Sequence, residues 1–429
     1  MIGKIKNKLA QNTLLKVLSI NSLAVFVRVI TGFFTTKIIA LLIGPSGLPL
    51  ISNFTNFLNS SKSIATLGMQ EAVIAQIASV KNEEELLKKR ISTGFFIMLF
   101  SALLVAFVVF FGADYYAKLL FKDVAYVYLI KFLAILIPFF AIYVFFIAVI
   151  NGFKRYKKVI LINVLTTIFS FLVSISLIYK MQLFGALSAL LVAQLISFIL
   201  LLTVVKEIKE IIQKIHFSYF DKNVLKSYGV YGLMALVTAL TVPWVFILVR
   251  NKIILNLGLA QAGYWDAMMR ISNFYLMFVG SALSLYYLPT LAALKTDKAF
   301  FKEVKNYYKT IMPMLFIGLL LVYFLRDFII TFFLSKAFLP VSDLFCYQLA
   351  ADFFKVASLA FTYQFLAKRM LWQYVFTEVF FVVVFYFLAQ YFLNSEGLLG
   401  VVKSYFYSYI LYYLVVLILF RKSIFSHNK

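Results

Sequence analysis

Cationic side chains occur inside the apolar stretches of this chain. Arg28, Lys37 and Lys62 fall within segment 21–78, which is typical of two long apolar helices joined by a Gly-Pro-Ser-Gly turn at 44–47. A cation near the centre of a membrane helix costs roughly 2.5 to 3.5 kcal/mol on insertion scales. These cations therefore need a polar surround or an anionic ligand, and phosphate groups suit both Arg and Lys.

A polar stripe follows the second helix of this hairpin. Its members recur at spacings of three and four, which places them on one face: Thr55, Asn59, Lys62, Thr66 and Gln70. In the first helix Arg28 lies on a similar stripe, whereas Lys37, nine residues later, lies on roughly the opposite side. We predict substrate contacts from one set of residues, namely Arg28, Lys37, Asn59, Lys62 and Gln70. Glu71, toward the cytoplasmic end, is predicted to balance charge.

A second charged group follows in the other half of the chain, where Asp266, Arg270 and Asn273 share one helical face. An ion pair within a helix is favoured when the acidic residue comes four positions before the basic one, as Asp266 does before Arg270. One interpretation is therefore a structural salt bridge. The other is that Arg270 and Asn273 bind substrate opposite Arg28 and Lys62, with Asp266 adjusting the charge or carrying a proton. Both interpretations can hold together.

Other charged residues have simpler interpretations. Asp352 and Lys355, three residues apart, are predicted to form a local ion pair. Arg250 and Lys252 end a predicted span, where side chains commonly extend to the lipid headgroups. Pro243 interrupts the same span and is predicted to act as a hinge.

Composition restricts the class of protein. The 429 residues are 63% hydrophobic and 18% aromatic, with a mean hydropathy of +0.95, which excludes a soluble globule. The net charge of +24 comes from lysines in short loops between apolar runs, so we predict no nucleic-acid binding. One cysteine and two histidines predict neither an intramolecular disulfide nor a metal site, and no cofactor is expected. The apolar run after the basic N-terminus is predicted to remain as the first helix.

The apolar runs predict an all-α polytopic membrane protein with twelve transmembrane helices in two six-helix lobes around a central cavity. The predicted spans lie near 14–43, 48–79, 91–111, 127–150, 159–179, 183–204, 227–250, 262–292, 310–330, 338–366, 371–392 and 397–420. Alternate loops carry 26 and 7 Lys or Arg residues, which predicts that both termini are cytoplasmic. The predicted domains are lobes at 1–205 and 227–429, with an amphipathic cytoplasmic connector at 206–226 lying on the membrane surface. Matching Lys-Ile-Ile runs at Lys37 and Lys252 favour a parallel internal repeat.

Two runs resemble a known family. They are KIIALLIGPSGL from Lys37 and the segment from AGYWDAMMRISNFYL at Ala262 to YLPTL at Tyr287. Both are similar to flippases for lipid-linked O-antigen and enterobacterial common antigen units, in the multidrug/oligosaccharidyl-lipid/polysaccharide exporter superfamily. The resemblance covers essentially the whole chain.

The resemblance implies a two-lobed inner-membrane transporter that moves an undecaprenyl-pyrophosphate-linked oligosaccharide outward by alternating access. It implies that Arg28, Lys62 and Arg270 are lumen cations. The expected partners are membrane lipid, a polysaccharide polymerase and a chain-length regulator.

Two alternatives stay open at this point. A multidrug exporter would share the fold but would need a lumen of the opposite charge. A polytopic glycosyltransferase or polymerase would use the same lipid-linked substrate, but such an enzyme generally needs a sizeable outer loop that carries catalytic groups. The longest outer loop here, 112–126, has only two acids, Asp114 and Asp123.

Overall fold

The computed structural model describes residues 13–80, 83–294 and 296–425. Within these ranges all regular structure is helical and no strand occurs. Nine segments of the described chain have the length and apolar composition to cross a membrane, and two of them, of 49 and 51 residues, are about twice as long as one crossing needs. The predicted polytopic all-α class is confirmed, and the count of twelve stays a prediction.

Among the described residues, the first compact unit contains 13–42 and 58–236. Its helices are α1 (Thr13–Leu42), the later part of α2 (Leu48–Ala65), α3 (Gln70–Val80), α4 (Glu84–Phe111), α5 (Ala113–Phe121), α6 (Val127–Gly152), α7 (Tyr156–Val204), α8 (Ile208–Ile212) and the start of α9 (Lys222–Leu257). Buried side chains of α3, α4, α6, α7 and α8 share one apolar core, which includes Ile77, Ile91 and Phe145.

The second unit contains, among the described residues, 43–57 and 237–425, so the first residues of α2 pack within it. Its further helices are α10 (Leu259–Ala282), α11 (Leu288–Ala293), α12 (Asp297–Phe324), α13 (Arg326–Phe333), α14 (Phe345–Ala367) and α15 (Leu371–Phe425). A π-helical turn, Leu283–Tyr287, joins α10 to α11. The predicted lobe boundaries stay predictions.

Unusual backbone conformations recur at a constant spacing. Residues with positive φ include Lys154 and Gln182 in the first unit, and Arg369 and Gly397, each 215 residues later, in the second. Gln182 divides α7, and Gly397 divides α15. Three residues after each division comes a glycine, Gly185 or Gly400, whose added Cβ would lie 1.9 or 2.1 Å from a backbone carbonyl oxygen eight residues earlier. This recurrence is what an internal duplication predicts.

The second predicted span, 48–79, is not one helix. The chain breaks between α2 and α3, where Leu67 and Gly68 have positive φ. A Cβ on Gly68 would lie 1.9 Å from the Cβ of Ala235, so glycine permits both the turn and the close approach to α9. Gln70 therefore begins a new helix instead of continuing the stripe of Lys62.

Other helix boundaries also differ from the sequence predictions. The ninth span was predicted at 310–330, but α12 begins at Asp297, after Thr296 caps it by accepting a hydrogen bond from the Ala299 N–H at 3.3 Å. The tenth was predicted from residue 338, but Lys336–Leu344 is a 3-10 helix and α14 begins at Phe345. An apolar window detects the part of a helix suited to lipid, and therefore misses polar helical turns beyond it.

The predicted surface connector packs into the first unit instead. Ile208 and Ile211 of α8 are buried in its core. The Ser92 hydroxyl donates to the Lys214 carbonyl at 3.0 Å, and the Asp221 N–H donates to Thr93 Oγ1 at 2.9 Å. The apolar face of this amphipathic segment thus covers protein, which was indistinguishable from membrane contact in the sequence pattern.

Candidate functional site

Two predicted substrate cations of the first unit lie beside the same helix. The Lys62 Nζ lies over the ring of Phe140 in α6, 4.1 Å from its centroid. Arg28, whose side chain is exposed, interacts electrostatically with Tyr143, one turn further along α6. The structure therefore packs Lys62 against an aromatic ring of α6, and Arg28 lies within electrostatic reach of the same helix.

The other predicted contacts of the first unit are more dispersed. Asn59 and Glu71 are exposed, whereas Lys37 and Gln70 are half-buried. The break between α2 and α3 separates Gln70 and Glu71 from the helix that carries Asn59. Their roles in substrate binding and charge balance stay predictions.

Asp266 in the second unit forms its ion pair with Arg250 of α9. The Arg250 Nε donates to the two Asp266 carboxylate oxygens at 2.9 and 2.8 Å, and Nη2 lies 2.7 Å from Oδ1. Arg250 is 3% exposed and Asp266 2% exposed. The predicted extension of Arg250 to the lipid headgroups is therefore wrong, since an acid on α10 holds its guanidinium inside the unit.

Residues from the start of α2 complete this network. The Arg250 Nη1 donates to Asn53 Oδ1 at 2.8 Å, and the Asn53 amide donates to Asn251 Oδ1 at 3.0 Å. The Arg250 guanidinium also lies over the Trp265 ring, 5.4 Å from its centroid. We call Asn53, Arg250, Asn251 and Asp266 the Arg250 network. In this network the Asp266 carboxylate neutralises the charge of Arg250, and the Asn53 amide oxygen accepts a further hydrogen bond from it.

Arg270 does not share this arrangement. Among the described residues, no ion pair within 4.0 Å joins it to Asp266, so the predicted direct i, i+4 salt bridge is not formed, although the two charges still interact electrostatically. Its Nη2 donates to Ser52 Oγ at 3.5 Å, and its buried Nε has no hydrogen-bond partner in the described part of the chain. Asn273, three residues along α10, is exposed. A buried guanidinium N–H without an acceptor is suited to an anionic ligand.

A further polar cluster was missed by sequence reasoning. Asp352, which is fully buried, accepts hydrogen bonds from Ser272 and Tyr275 of α10 and, at 3.4 Å, from Gln348. Lys355 instead lies 3.4 Å from the Tyr405 hydroxyl, and the described residues contain no Asp352–Lys355 ion pair within 4.0 Å. The two charges attract each other as predicted, but without direct contact, because each group has hydrogen-bond partners on other helices, which sequence spacing does not reveal.

The predicted hinge Pro243 lies inside α9 and is half-buried. Five residues earlier on α9, the Thr238 and Tyr374 hydroxyls are 2.5 Å apart. The proline thus lies between this contact with α15 and the Arg250 network. Bending at Pro243 stays a prediction.

A family model matches most of this chain. The family is described as "Polysaccharide biosynthesis protein", and its model matches residues 38–343, a range that includes Lys62, Arg250, Asp266 and Arg270. The chain belongs to this family. The family resemblance predicted from the sequence is thereby confirmed.

Relatives of this polysaccharide biosynthesis family member extend over almost its whole length. The chain is 27% identical over 393 residues to the lipid III flippases of Escherichia coli (strain K12) and Shigella flexneri, covering 90% of this chain and 93% of each relative.

Among solved structures, the family member resembles an inward-facing multidrug resistance MATE family transporter of the MOP superfamily. Their TM-score is 0.71 at 15% identity, covering 92% of this chain and 94% of the other. It also resembles lipid II flippase MurJ in an inward closed conformation, with a TM-score of 0.71 at 16% identity, covering 93% and 87%. These two likenesses concern the fold.

Proposed function

We propose that this multi-pass membrane protein is a transporter, not an enzyme, and that it moves a lipid-linked oligosaccharide across the membrane. Its proposed substrate is an undecaprenyl-pyrophosphate-linked oligosaccharide, an O-antigen or related surface polysaccharide unit. Transport runs from the cytoplasmic to the outer leaflet of the inner membrane by alternating access, with both chain termini cytoplasmic. The names of the lipid III flippase relatives support the substrate class.

The single observation that carries this proposal is the unpartnered N–H of Arg270. Because Asp266 pairs with Arg250, these three residues retain one positive charge, and Arg270 has a buried donor to offer. In the first unit, Lys62 and Arg28 are further proposed substrate cations. A diphosphate group carries the opposite charge and several acceptor oxygens, so it suits each of these cations.

The same charges disfavour the two alternatives. A multidrug exporter of organic cations would meet surplus cations at Arg28, Lys62 and Arg270, which repel its cargo. An outer-loop enzyme would draw on Asp114 and Asp123, and both lie at helix starts, where acids are common for structural reasons. Asp114 is in the first turn of α5, and the Asp123 carboxylate caps a helical turn by accepting a hydrogen bond from the Ala125 N–H at 2.9 Å. The fold likeness to a multidrug transporter therefore does not decide the cargo.

Reconstitution tests the proposal. Purified protein in lipid vesicles should move an undecaprenyl-pyrophosphate-linked oligosaccharide between leaflets, measured by the access of an added sugar-binding or sugar-cleaving protein. Replacing Arg270 by Ala should slow transport by roughly 10- to 100-fold, since a hydrogen bond to a charged group contributes about 1.5–3 kcal/mol. Arg28→Ala and Lys62→Ala should act in the same direction.

Lys252→Ala is the matched control, because Lys252 is an exposed cation two residues after Arg250. It should transport normally. The cation site is wrong if Arg28→Ala, Lys62→Ala and Arg270→Ala each transport normally at normal protein levels. The function itself is wrong if the unaltered protein leaves the oligosaccharide in its original leaflet.

A further inference from the structure

The Arg250 network explains why Arg270 forms no direct ion pair with Asp266. Asp266 lies four residues before Arg270 on the same helix, a spacing at which an acid and a base normally meet. A carboxylate bound to Arg270 would occupy the donors needed for an anionic ligand. The structure instead turns both carboxylate oxygens of Asp266 toward Arg250, on the preceding helix.

The orientation of Arg250 is itself fixed on several sides. Its Nε and Nη2 contact Asp266, its Nη1 donates to Asn53 at 2.8 Å, and its guanidinium faces the Trp265 ring. Asn53 is in turn held by Asn251 at 3.0 Å. With these groups engaged and 3% of the residue exposed, Arg250 is not placed to contact a ligand itself.

We propose that Arg250 is a positioning residue: it engages the Asp266 carboxylate, so that Asp266 makes no direct ion pair with Arg270 and the Arg270 guanidinium stays available to a diphosphate ligand. This inference rests on the proposed function, because it gives Arg250 a role at the same anion site. If Arg250 is removed, the nearest remaining cation along α10 is Arg270, and the Asp266 carboxylate turns to it. Asp266 then neutralises the positive charge of Arg270, which no longer attracts an anionic ligand.

A second-site rescue separates this role from a purely structural one. The probe is farnesyl pyrophosphate, titrated into purified protein in detergent by isothermal titration calorimetry. Arg250→Met should raise its Kd at least tenfold, because Asp266 captures Arg270. The double variant Arg250→Met/Asp266→Asn should return the Kd to within about threefold of the unaltered protein, because the competing carboxylate is gone while Arg270 remains. A cooperative thermal melt of each variant is the folding control.

Loss of a buried partner could prevent Arg250→Met from folding, and weak binding by the folded double variant then overturns the inference. The double variant replaces a buried ion pair by neutral residues, a change that is commonly tolerated. Arg250→Lys, which keeps the charge beside Asp266, should bind the probe with the original Kd.

Three results would overturn the inference: a folded Arg250→Met that binds normally, a folded double variant that binds weakly, or an Arg250→Lys variant that folds and binds weakly. Arg270→Met distinguishes this failure from that of the proposed site. If Arg270→Met binds the probe normally, the site itself is wrong. If Arg270→Met binds weakly and the rescue also fails, the role of Arg250 alone is wrong.

Discussion

Gly263 of α10 should be a position where one added methyl group separates two packed segments. A Cβ there would lie 1.9 Å from the Pro45 carbonyl oxygen, 2.6 Å from its carbonyl carbon and 3.0 Å from its Cα. Ordinary contact begins at 3.4 Å, so α10 and the turn at Pro45 must move apart by roughly 1.5 Å. The obstruction is backbone, which cannot rotate away as a side chain would.

We therefore expect Gly263→Ala to lower the free energy of unfolding by about 2 kcal/mol. Overpacking of a tight contact typically costs about 1–3 kcal/mol or more, partly offset by a helix-propensity gain of about 1 kcal/mol for alanine. Reversible unfolding of the purified protein by SDS in mixed micelles would measure the change. Transport should also fall, because Pro45 leads into the part of α2 that carries Ser52 and Asn53.

Gly280→Ala is the matched control, being the same substitution in the same helix. No atom lies within 4 Å of a Cβ built at Gly280, so this variant should gain roughly 0.5–1 kcal/mol. The two variants should thus shift the unfolding midpoint in opposite directions. If Gly263→Ala is as stable as Gly280→Ala, the close approach of Pro45 to α10 is not a feature of the folded protein.

Two further outcomes are expected. The Lys158 ammonium, together with Arg155, lowers the pKa of the Glu207 carboxyl in the connector. The stability that this ion pair adds is therefore fully present above the ordinary glutamate pKa of about 4.3, and it is lost as the pH falls through the lowered pKa. Thermal melts of Glu207→Gln and unaltered protein should therefore differ at pH 7 and converge in acid; a constant gap would contradict the pairing. Pro243→Ala should slow transport more than it reduces the amount of folded protein, because proline removes a helix hydrogen bond at the predicted hinge. Unchanged transport by Pro243→Ala in vesicles would contradict the prediction that Pro243 is a hinge.

The features that could be predicted correctly were those that depend on residues close together in the sequence. Long apolar runs predicted helices because the bilayer requires internally satisfied backbone. The matching runs at Lys37 and Lys252 favour a repeat, which stays a prediction. The helix break at Gly68 carried a weaker signal, since an isolated glycine in an apolar run is often tolerated within a helix.

The charge pairing could not be predicted in the same way. Asp266 has Arg270 at a favourable spacing on its own helix, yet its partner is Arg250 on the preceding one. Asp352 likewise has Lys355 nearby, yet its donors include Ser272, 80 residues earlier. Spacing along a helix states which groups could meet, whereas the packing of neighbouring helices decides which of them do.

The spacing of 215 residues has a consequence for how the two halves of the chain are compared. By that spacing Lys355 of α14 corresponds to Phe140 of α6, the ring over which the Lys62 ammonium lies. In one half the helix position is itself a lysine, while in the other it is an aromatic ring that a lysine of another helix contacts. A comparison of the halves position by position would therefore record a lysine opposite a phenylalanine, although an ammonium group lies at or against this helix position in both.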